Sequence, residues 1–437
     1  MESYMVRRSS IYVTLFVGYF LYYLNRKSFS FLMPYVIEEE GMHRSELGAI
    51  TSSVSLAYTI SKFISGILSD KISARVMFSS GLFLTSVLVL QFTGFRSLQM
   101  FMVLWFLNGM AQGGGWPSCS KVLKQWFLPS ELGLWWSVLS TSANLAGVVG
   151  PICLSFIARD YGWRTAMYIG GVLGIGMSCV SFLMIKNSPA EAGLEPLASS
   201  EPTKATSSNK DASSDASPSG DSATTRDVIS SPFLWVISVL FFLTALIAYG
   251  IMDWGQLYLI QEIGFENAVG SAFTSSYSIG AIVGSIVAGF VTDRLVARAS
   301  KNSKSSPRFP WFMFMEAVNL MSIHIFRSLV TIETNKVLIL TIGFLFGVAQ
   351  YGAFSVYGVV AIENAPVHLS GTSHAFAAMA CNVGVLMAGY PLTYIAERFD
   401  WSVVLMCLEA MSLTSLMILV AARKVEARIG KPSIKVE

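Results

Sequence analysis

Apolar residues run along this chain in long blocks separated by short polar stretches. A bilayer core of ~30 Å takes ~20 apolar residues in a helix, and twelve segments have that length. They run roughly 11–33, 47–69, 76–95, 98–120, 131–158 and 163–185, then 233–260, 268–292, 309–330, 336–362, 369–396 and 400–422. Most are rich in glycine, which lets helices approach closely in lipid. Two gaps interrupt the pattern. Residues 187–231 are rich in Ser, Thr, Pro, Asp and Lys and hold no aromatic residue. Such a stretch cannot bury a core, so a disordered linker is expected there. The shorter gap, 293–308, is basic. The pattern predicts an all-α membrane protein: six helices in residues 1–186, a linker over 187–231, then six helices and a tail over 232–437.

Composition agrees. Hydrophobic residues make up 53% of the 437 and charged residues 13%, against about 25% charged in soluble domains. The net charge of +3 is too small to argue for nucleic acid as a partner; the expected surroundings are membrane lipid. Cys119, Cys153, Cys179, Cys381 and Cys407 lie in or at the ends of apolar segments without CxxC spacing. Neither a disulfide framework nor a metal site is indicated, and no cofactor is expected. Arg7 and Arg8 precede an apolar run that reaches about Phe31, too long for the h-region of a signal peptide, so the first helix is expected to be retained.

The distribution of charge is more informative than its sum. If loops are assigned alternately to two sides, the side with both termini holds 20 basic residues, Arg7, Arg8, Lys71, Arg75, Lys121 and Lys124 among them. The other side holds 7: Arg44, Arg96, Arg159, Arg164, Arg327, Lys336 and Arg398. The positive-inside rule therefore places both termini and the linker in the cytosol. Arg26, Lys27 and Lys62 fall on neither side and complete the total of 30.

The two sets of six helices repeat each other. Gly66-Ile-Leu-Ser-Asp70-Lys71-Ile-Ser-Ala74-Arg75 recurs as Gly289-Phe-Val-Thr-Asp293-Arg294-Leu-Val-Ala297-Arg298, 223 residues later. Phe106-Leu-Asn-Gly-Met-Ala-Gln112-Gly-Gly114 recurs as Phe344-Leu-Phe-Gly-Val-Ala-Gln350-Tyr-Gly352 at an offset of 238, which also maps Asn144 onto Asn382 and Trp163 onto Trp401. Both copies run the same way across six helices, so these are parallel repeats of the kind found in a major facilitator fold. Asp70, Arg75, Asp293 and Arg298 sit where charges can pair across the cytosolic interface, and such gating pairs hold one face shut.

A charge inside a membrane helix costs ~3 kcal/mol or more, so it marks a functional candidate by default. Arg26 lies about fifteen residues into helix 1, with Tyr19, Tyr22 and Tyr23 on or beside its face at i−7, i−4 and i−3. Three phenols and a guanidinium make a donor-rich anion site. Lys27 is turned ~100° from Arg26 and shares the pocket incompletely. Lys62 repeats the arrangement in helix 2, with Tyr58 at i−4 and Ser55 at i−7; its nearness to Asp70 leaves snorkelling to the interface as the alternative. The membrane acids Asp253, Glu316, Glu363 and Glu409 form no aligned relay for proton coupling, although some can pair with bases. An excess of basic charge asks for an anion, and arginine forks match phosphate oxygens bidentately. His374 is a further candidate ligand, though a lone helical histidine is more often structural. Asn144, Asn382, Gln112, Gln256, Gln350 and Tyr351 sit at helix midpoints, where they can bond sugar hydroxyls or serve packing. With no nucleophile–base pair and no metal-spaced cluster, an enzyme is not expected.

The segments YYLNRKSF (22–29), LAYTISKFISGILSD (56–70), WFLNGMAQGGGWP (105–117), YGIMDWGQLYLIQE (249–262) and ENAPVHLSGTSHAF (363–376) resemble the organophosphate:phosphate antiporters, over essentially the whole chain apart from the linker. The resemblance implies exchange of glucose 6-phosphate for inorganic phosphate across the endoplasmic reticulum membrane, coupled to a lumenal glucose-6-phosphatase. It assigns Arg26 and Lys62 to the phosphate and Tyr19, Tyr23, Trp116 and Tyr351 to the lining. Two positions depart from the bacterial pattern. Ala248 stands where those members carry a second phosphate arginine in helix 7, and Ala143 stands where they carry a histidine in helix 5. The second charge must then come from Lys62, Lys27 or His374. If Ala248 faces the site, Ala248→Arg is expected to tighten phosphate binding. Two other readings remain: exchange of another ester, such as glycerol phosphate or phosphoenolpyruvate, and a non-transporting membrane sensor of sugar phosphate.

Overall fold

The computed structural model describes residues 2–68, 72–194, 224–299, 305–366, 369–423, 425–427 and 429, and within them the fold is helical throughout. In the first half, α1 is Glu2–Glu40, α2 Arg44–Leu68 and α3 Ala74–Phe92. α4 is broken into Leu98–Gln112 and Gly115–Trp126. The helix Pro129–Met184 carries α5 and α6, which meet at Gly162 with φ 82° and ψ 156°. Glycine reaches that left-handed backbone without steric cost, and the chain reverses there. In the second half, α7 is Pro232–Leu257, prolonged by a π turn over Tyr258–Ile263, and α8 is Asn267–Arg298. α9 is Phe309–Ser328 and α10 Lys336–Glu363; α11 is broken into Ser370–Met387 and Tyr390–Arg398, and α12 is Trp401–Ala422. These twelve spans match the twelve apolar blocks of the sequence. By length and composition alone, eight helical segments among the described residues can cross a membrane, and one of them, Val138–Met184, holds both α5 and α6. α1 and α2 are long enough yet fall outside that group because they carry intramembrane charge and hydroxyls; α4 is divided.

The repeated motifs occupy equivalent places. Asn144 lies on α5 and Asn382 on α11, while Trp163 and Trp401 open α6 and α12 and are both fully buried. Each half has its own packing. Phe29, Phe92, Phe101, Trp105 and Trp163 pack ring on ring in the first, and Phe273, Phe326 and Phe346 in the second. The halves meet where α2 packs on α11, α5 on α8, and α1 on α7.

The hydrogen bonds that join the halves cluster on the side away from the termini. The Arg44 guanidinium donates to Gln261 Oε1 at 3.0 Å and to the Ala396 carbonyl at 2.8 Å. The Ser45 amide donates to Glu397 at 2.8 Å, and the Tyr390 amide to Ser52 Oγ at 2.8 Å. The Gln256 amide reaches the Ser30 carbonyl at 2.5 Å. At the break in α11, a Cβ on Gly389 would stand 2.1 Å from Ser52 Oγ, so only glycine lets α2 approach so closely. This face is shut.

The linker differs from expectation at its ends. The Asn187 carboxamide accepts from Ser73 Oγ and the Arg75 amide, both at 3.0 Å, and Pro189–Leu194 form a closed turn. Thr225–Ile229 is a short helix whose Thr224 and Asp227 make a reciprocal capping box, with Val228 fully buried. The rest of the expected linker, 195–223, lies outside the described residues. Replacing 195–223 with ~15 Gly/Ser residues should leave the thermal midpoint and transport close to wild type, since flexible connections tolerate length changes at little cost. Thr224→Ala should by contrast cost about 1 kcal/mol of stability; both effects are readable by thermal unfolding of the purified protein and by vesicle uptake.

Candidate substrate cavity between the two halves

A cavity of about 220 Å³ lies between the halves. α1 contributes Tyr23, Arg26, Lys27 and Ser30, spaced i, i+3, i+4 and i+7 and hence on one helical face. α2 contributes Thr51, Val54, Ser55, Tyr58, Thr59 and Lys62 by the same periodicity. Tyr249 and Asp253 come from α7, Phe354 from α10, and Cys381, Asn382 and Val385 from α11.

Two cations share one aromatic ring. The Arg26 guanidinium stands 4.6 Å from the Tyr58 ring centre and 5.0 Å from that of Tyr23, and Lys62 Nζ stands 4.6 Å from the Tyr58 ring. Arg26 and Lys62 therefore lie within about 9 Å of each other. Ring quadrupoles attract cations without neutralising them. Lys27 behaves differently: its ammonium bonds both Asp253 oxygens, at 2.7 and 3.1 Å, and lies 5.0 Å from the Tyr249 ring. Both partners are about nine-tenths buried. Among the described residues, the lining thus holds three bases against one acid, and that acid is taken by Lys27. A surplus of two positive charges faces the cavity.

The other candidates are placed as follows. Tyr19 packs on Trp116 at 4.9 Å, and Trp116 on Trp136 at 4.8 Å, in an aromatic group beside the lining on the side nearer the termini. The buried Tyr22 hydroxyl donates to the Phe78 carbonyl at 2.7 Å, behind the cavity. Gln112 is buried against Asn108, and Gln350 bonds Tyr277 and Asn319. Gln256 belongs to the far-side seal, and Tyr351 packs behind Phe354 at 5.4 Å. Asn144 is half-buried on α5, outside the lining. His374 is exposed, with Nδ1 3.4 Å from the Gly358 carbonyl, and does not line the cavity. Ala248 is 1% exposed and its carbonyl accepts from the Tyr277 hydroxyl at 3.2 Å; it faces helix packing, not the cavity, because Tyr249 takes the inward position.

Of the gating candidates, Asp70 lies outside the described residues. Arg75 stands 3.8 Å from Glu191, at the end of the first half. Asp293 accepts from Arg308 at 3.2 Å, and Arg308 also holds Glu363 at 2.6 Å, within the second half. Arg298 is exposed. With the far face sealed, the charges that the structure shows pairing here pair inside their own halves. Sequence reasoning gave Asp253 no specific partner, and it gave Tyr249, Thr51 and Thr59 no role. The signal for Asp253 was present: a lysine and an aspartate, each deep in a membrane helix, are driven to pair.

The model of the Major Facilitator Superfamily matches residues 15–389. The chain belongs to the Major Facilitator Superfamily. Among curated members, it is 31% identical to a probable hexose phosphate transport protein of Chlamydia pneumoniae, over 92% of this chain and 88% of that one. It is 28% identical to the membrane sensor protein UhpC of Escherichia coli, over 90% and 87%, and 27% identical to a glycerol-3-phosphate transporter of Bacillus subtilis, over 92% and 88%. Among solved structures, a bacterial Spinster homologue matches with TM-score 0.73 over 98% of this chain and 99% of that one. The nucleoside transporter NupG matches with TM-score 0.68 over 95% and 100%, and both structures are 12% identical to this chain. These last two establish the major facilitator fold alone.

Asp253→Asn strands the buried Lys27 charge and should lower stability by about 3–5 kcal/mol. Adding Lys27→Met should recover most of that loss, measured as the thermal midpoint of each purified protein. Ala248→Arg, which forces a guanidinium into filled space, should destabilise by at least about 1–3 kcal/mol. It should leave phosphate affinity no tighter, which ligand titration of the surviving folded fraction would show.

Proposed function

We propose that this protein exchanges a phosphorylated sugar, glucose 6-phosphate in particular, for inorganic phosphate by alternating access, with Arg26 and Lys62 bracketing the phosphoryl group. The observation that carries the reading is the cavity's surplus of two positive charges. A phosphate monoester carries about −1.5 to −2 near pH 7, so one such ligand neutralises the surplus. Arg26 supplies a planar fork suited to two phosphoryl oxygens, and Lys62 a point charge. The names of the curated relatives, hexose phosphate and glycerol-3-phosphate transporters, support a phosphate-ester cargo.

Exchange follows from the same electrostatics. Occluding an empty cavity would strip solvent from two unneutralised cations, which costs several kcal/mol per ion. A bound dianion removes that cost, so the cavity passes between faces loaded and the cycle becomes an exchange. The structure is sealed on the side away from the termini, and Lys62 lies exposed at the end of the lining nearer the termini. That is the state in which cargo enters or leaves on the termini side, assigned here to the cytosol by its twenty basic residues. We place the protein in the endoplasmic reticulum membrane, supplying a lumenal phosphatase; the resemblance of the motif segments supports this.

The relative named as a membrane sensor favours a second reading, in which sugar phosphate is bound and not carried. Counterflow of labelled phosphate in proteoliposomes separates the two, since a sensor shows none. Arg26→Lys keeps charge and loses the fork, at ~1.5–3 kcal/mol, or roughly tenfold to a hundredfold in affinity. Phosphate homoexchange and ester uptake should fall together. Full homoexchange at low phosphate in this variant would make Arg26 structural and the reading wrong.

A further inference from the structure

The cavity face of α2 carries a row of hydroxyls, Thr51, Ser55 and Thr59, at i, i+4 and i+8. Each already spends its hydrogen on the helix. Thr51 Oγ1 donates to the Gly48 and Leu47 carbonyls at 3.0 and 3.2 Å, Ser55 Oγ to the Thr51 carbonyl at 2.9 Å, and Thr59 Oγ1 to the Ser55 carbonyl at 2.8 Å. This back-bonding satisfies the one donor each hydroxyl owns and leaves its lone pairs unused. Ser55 and Thr59 are half-buried and turned to the cavity. α2 thus presents a strip of hydrogen-bond acceptors inside a membrane protein, directly beside two cations. The strip starts one residue from Tyr58, the ring that Arg26 and Lys62 share, and rises about 12 Å along the helix toward the sealed face. Across the cavity stand Phe354, Cys381 and Val385, which are apolar, with Asn382 among them.

We infer that this strip is the subsite for the organic part of the cargo and that it reads hydroxyl donors. The matching ligand is a phosphorylated polyol or sugar, with its phosphoryl group at Arg26 and Lys62, its hydroxyls donating to Ser55, Thr59 and Thr51, and its C–H face against Phe354 and Val385. A carboxylated ester such as phosphoenolpyruvate brings only acceptors to a wall of acceptors and is disfavoured. The inference rests on the phosphate-ester reading above and names the feature that selects among such esters.

The test reads the ratio of ester to phosphate affinity, which cancels effects common to both ligands. Ser55→Ala and Thr59→Val should each raise the ratio of hexose 6-phosphate Kd to phosphate Kd by about twofold to tenfold, the range for losing one neutral hydrogen bond. Ser55→Thr, which keeps the hydroxyl, should restore the wild-type ratio and shows that the helix tolerates substitution. The direction of the bonds is checked with hexose 6-phosphates in which single hydroxyls are replaced by hydrogen or fluorine. Fluorine accepts weakly and never donates, so at positions facing the strip both analogues should lose affinity equally. Kd is measured as ligand-induced thermal stabilisation of the whole purified protein, which reports binding whether or not the protein transports. An unchanged ratio in both α2 variants, or a fluoro analogue that binds like the parent sugar where the deoxy analogue fails, overturns the inference. Absence of stabilisation by phosphate or any ester in wild type would instead defeat the phosphate reading itself, and the two failures are distinct.

Discussion

Two positive charges that no acid among the described residues neutralises, held between two helical bundles inside a membrane, shape everything else in this protein. Charge in a low-dielectric site is expensive unless it is paired or hydrogen-bonded. The fold lowers that cost without removing it. Tyr58 offers its ring to both Arg26 and Lys62, Tyr23 faces Arg26 from its own helix, and the cavity keeps contact with solvent at Lys62. A third base, Lys27, is neutralised by Asp253 from the opposite half. The remaining surplus is therefore a property of how the halves are apposed, because removing Asp253 would add to it and moving α7 away would do the same.

That coupling ties binding to motion. The contacts that close the far face lie on the same helices that line the cavity: α2 carries Arg44, Ser45 and Ser52 at its upper turns and Tyr58 and Lys62 below them. α7 carries Asp253 in the lining and Gln256 in the seal, with Gln261 on its π turn. A rigid rocking of one half against the other must break the Arg44, Ser45 and Ser52 bonds and disturb the Lys27–Asp253 pair in one movement. These bonds are modest individually, at about 0.5–1.5 kcal/mol net for the neutral ones and about 1.5–3 kcal/mol for those of Arg44 and Glu397, so the seal holds by number and can be released. The charged groups nearer the termini, Arg75 with Glu191 and Arg308 with Asp293 and Glu363, stay within their own halves in this state.

Much of this was legible in the sequence, for a physical reason. Lipid imposes a length and a composition on every span, so twelve blocks, a duplicated Gly-x-x-x-Asp-[Lys/Arg] segment and the pairing of Trp163 with Trp401 give the fold without any tertiary information. Arg26 and Lys62 were legible because charge in a membrane span needs a reason. What failed to show were side-chain partners set by helix rotation. Gln112 read as a cavity group from its depth in the membrane and Tyr22 from its place four residues before Arg26, yet their side chains turn to Asn108 and to the Phe78 carbonyl. Ala248 precedes the inward-facing Tyr249 by one residue, a rotation of ~100° that periodicity could not fix without knowing the neighbouring helix. The capping box of Thr224 and Asp227 was written in the sequence, but the polar composition of 187–231 hid it.

If Arg26 and Lys62 both bind the phosphoryl group, the cavity selects a dianion over a monoanion of the same shape. Comparing glucose 6-phosphate with glucose 6-sulfate, its singly charged counterpart of similar shape, tests this most directly in equilibrium binding to the purified protein. One extra charge at ~4 Å from a cation is worth up to about 4 kcal/mol in a partly solvated site, before desolvation is subtracted. The phosphate ester should therefore bind at least about tenfold tighter than the sulfate ester at pH 7.5. The gap should narrow toward pH 5, where the phosphate, with a second pKa of ~6, becomes a monoanion, while the sulfate's affinity stays level. Equal affinities for the two esters at pH 7.5 would contradict the claim.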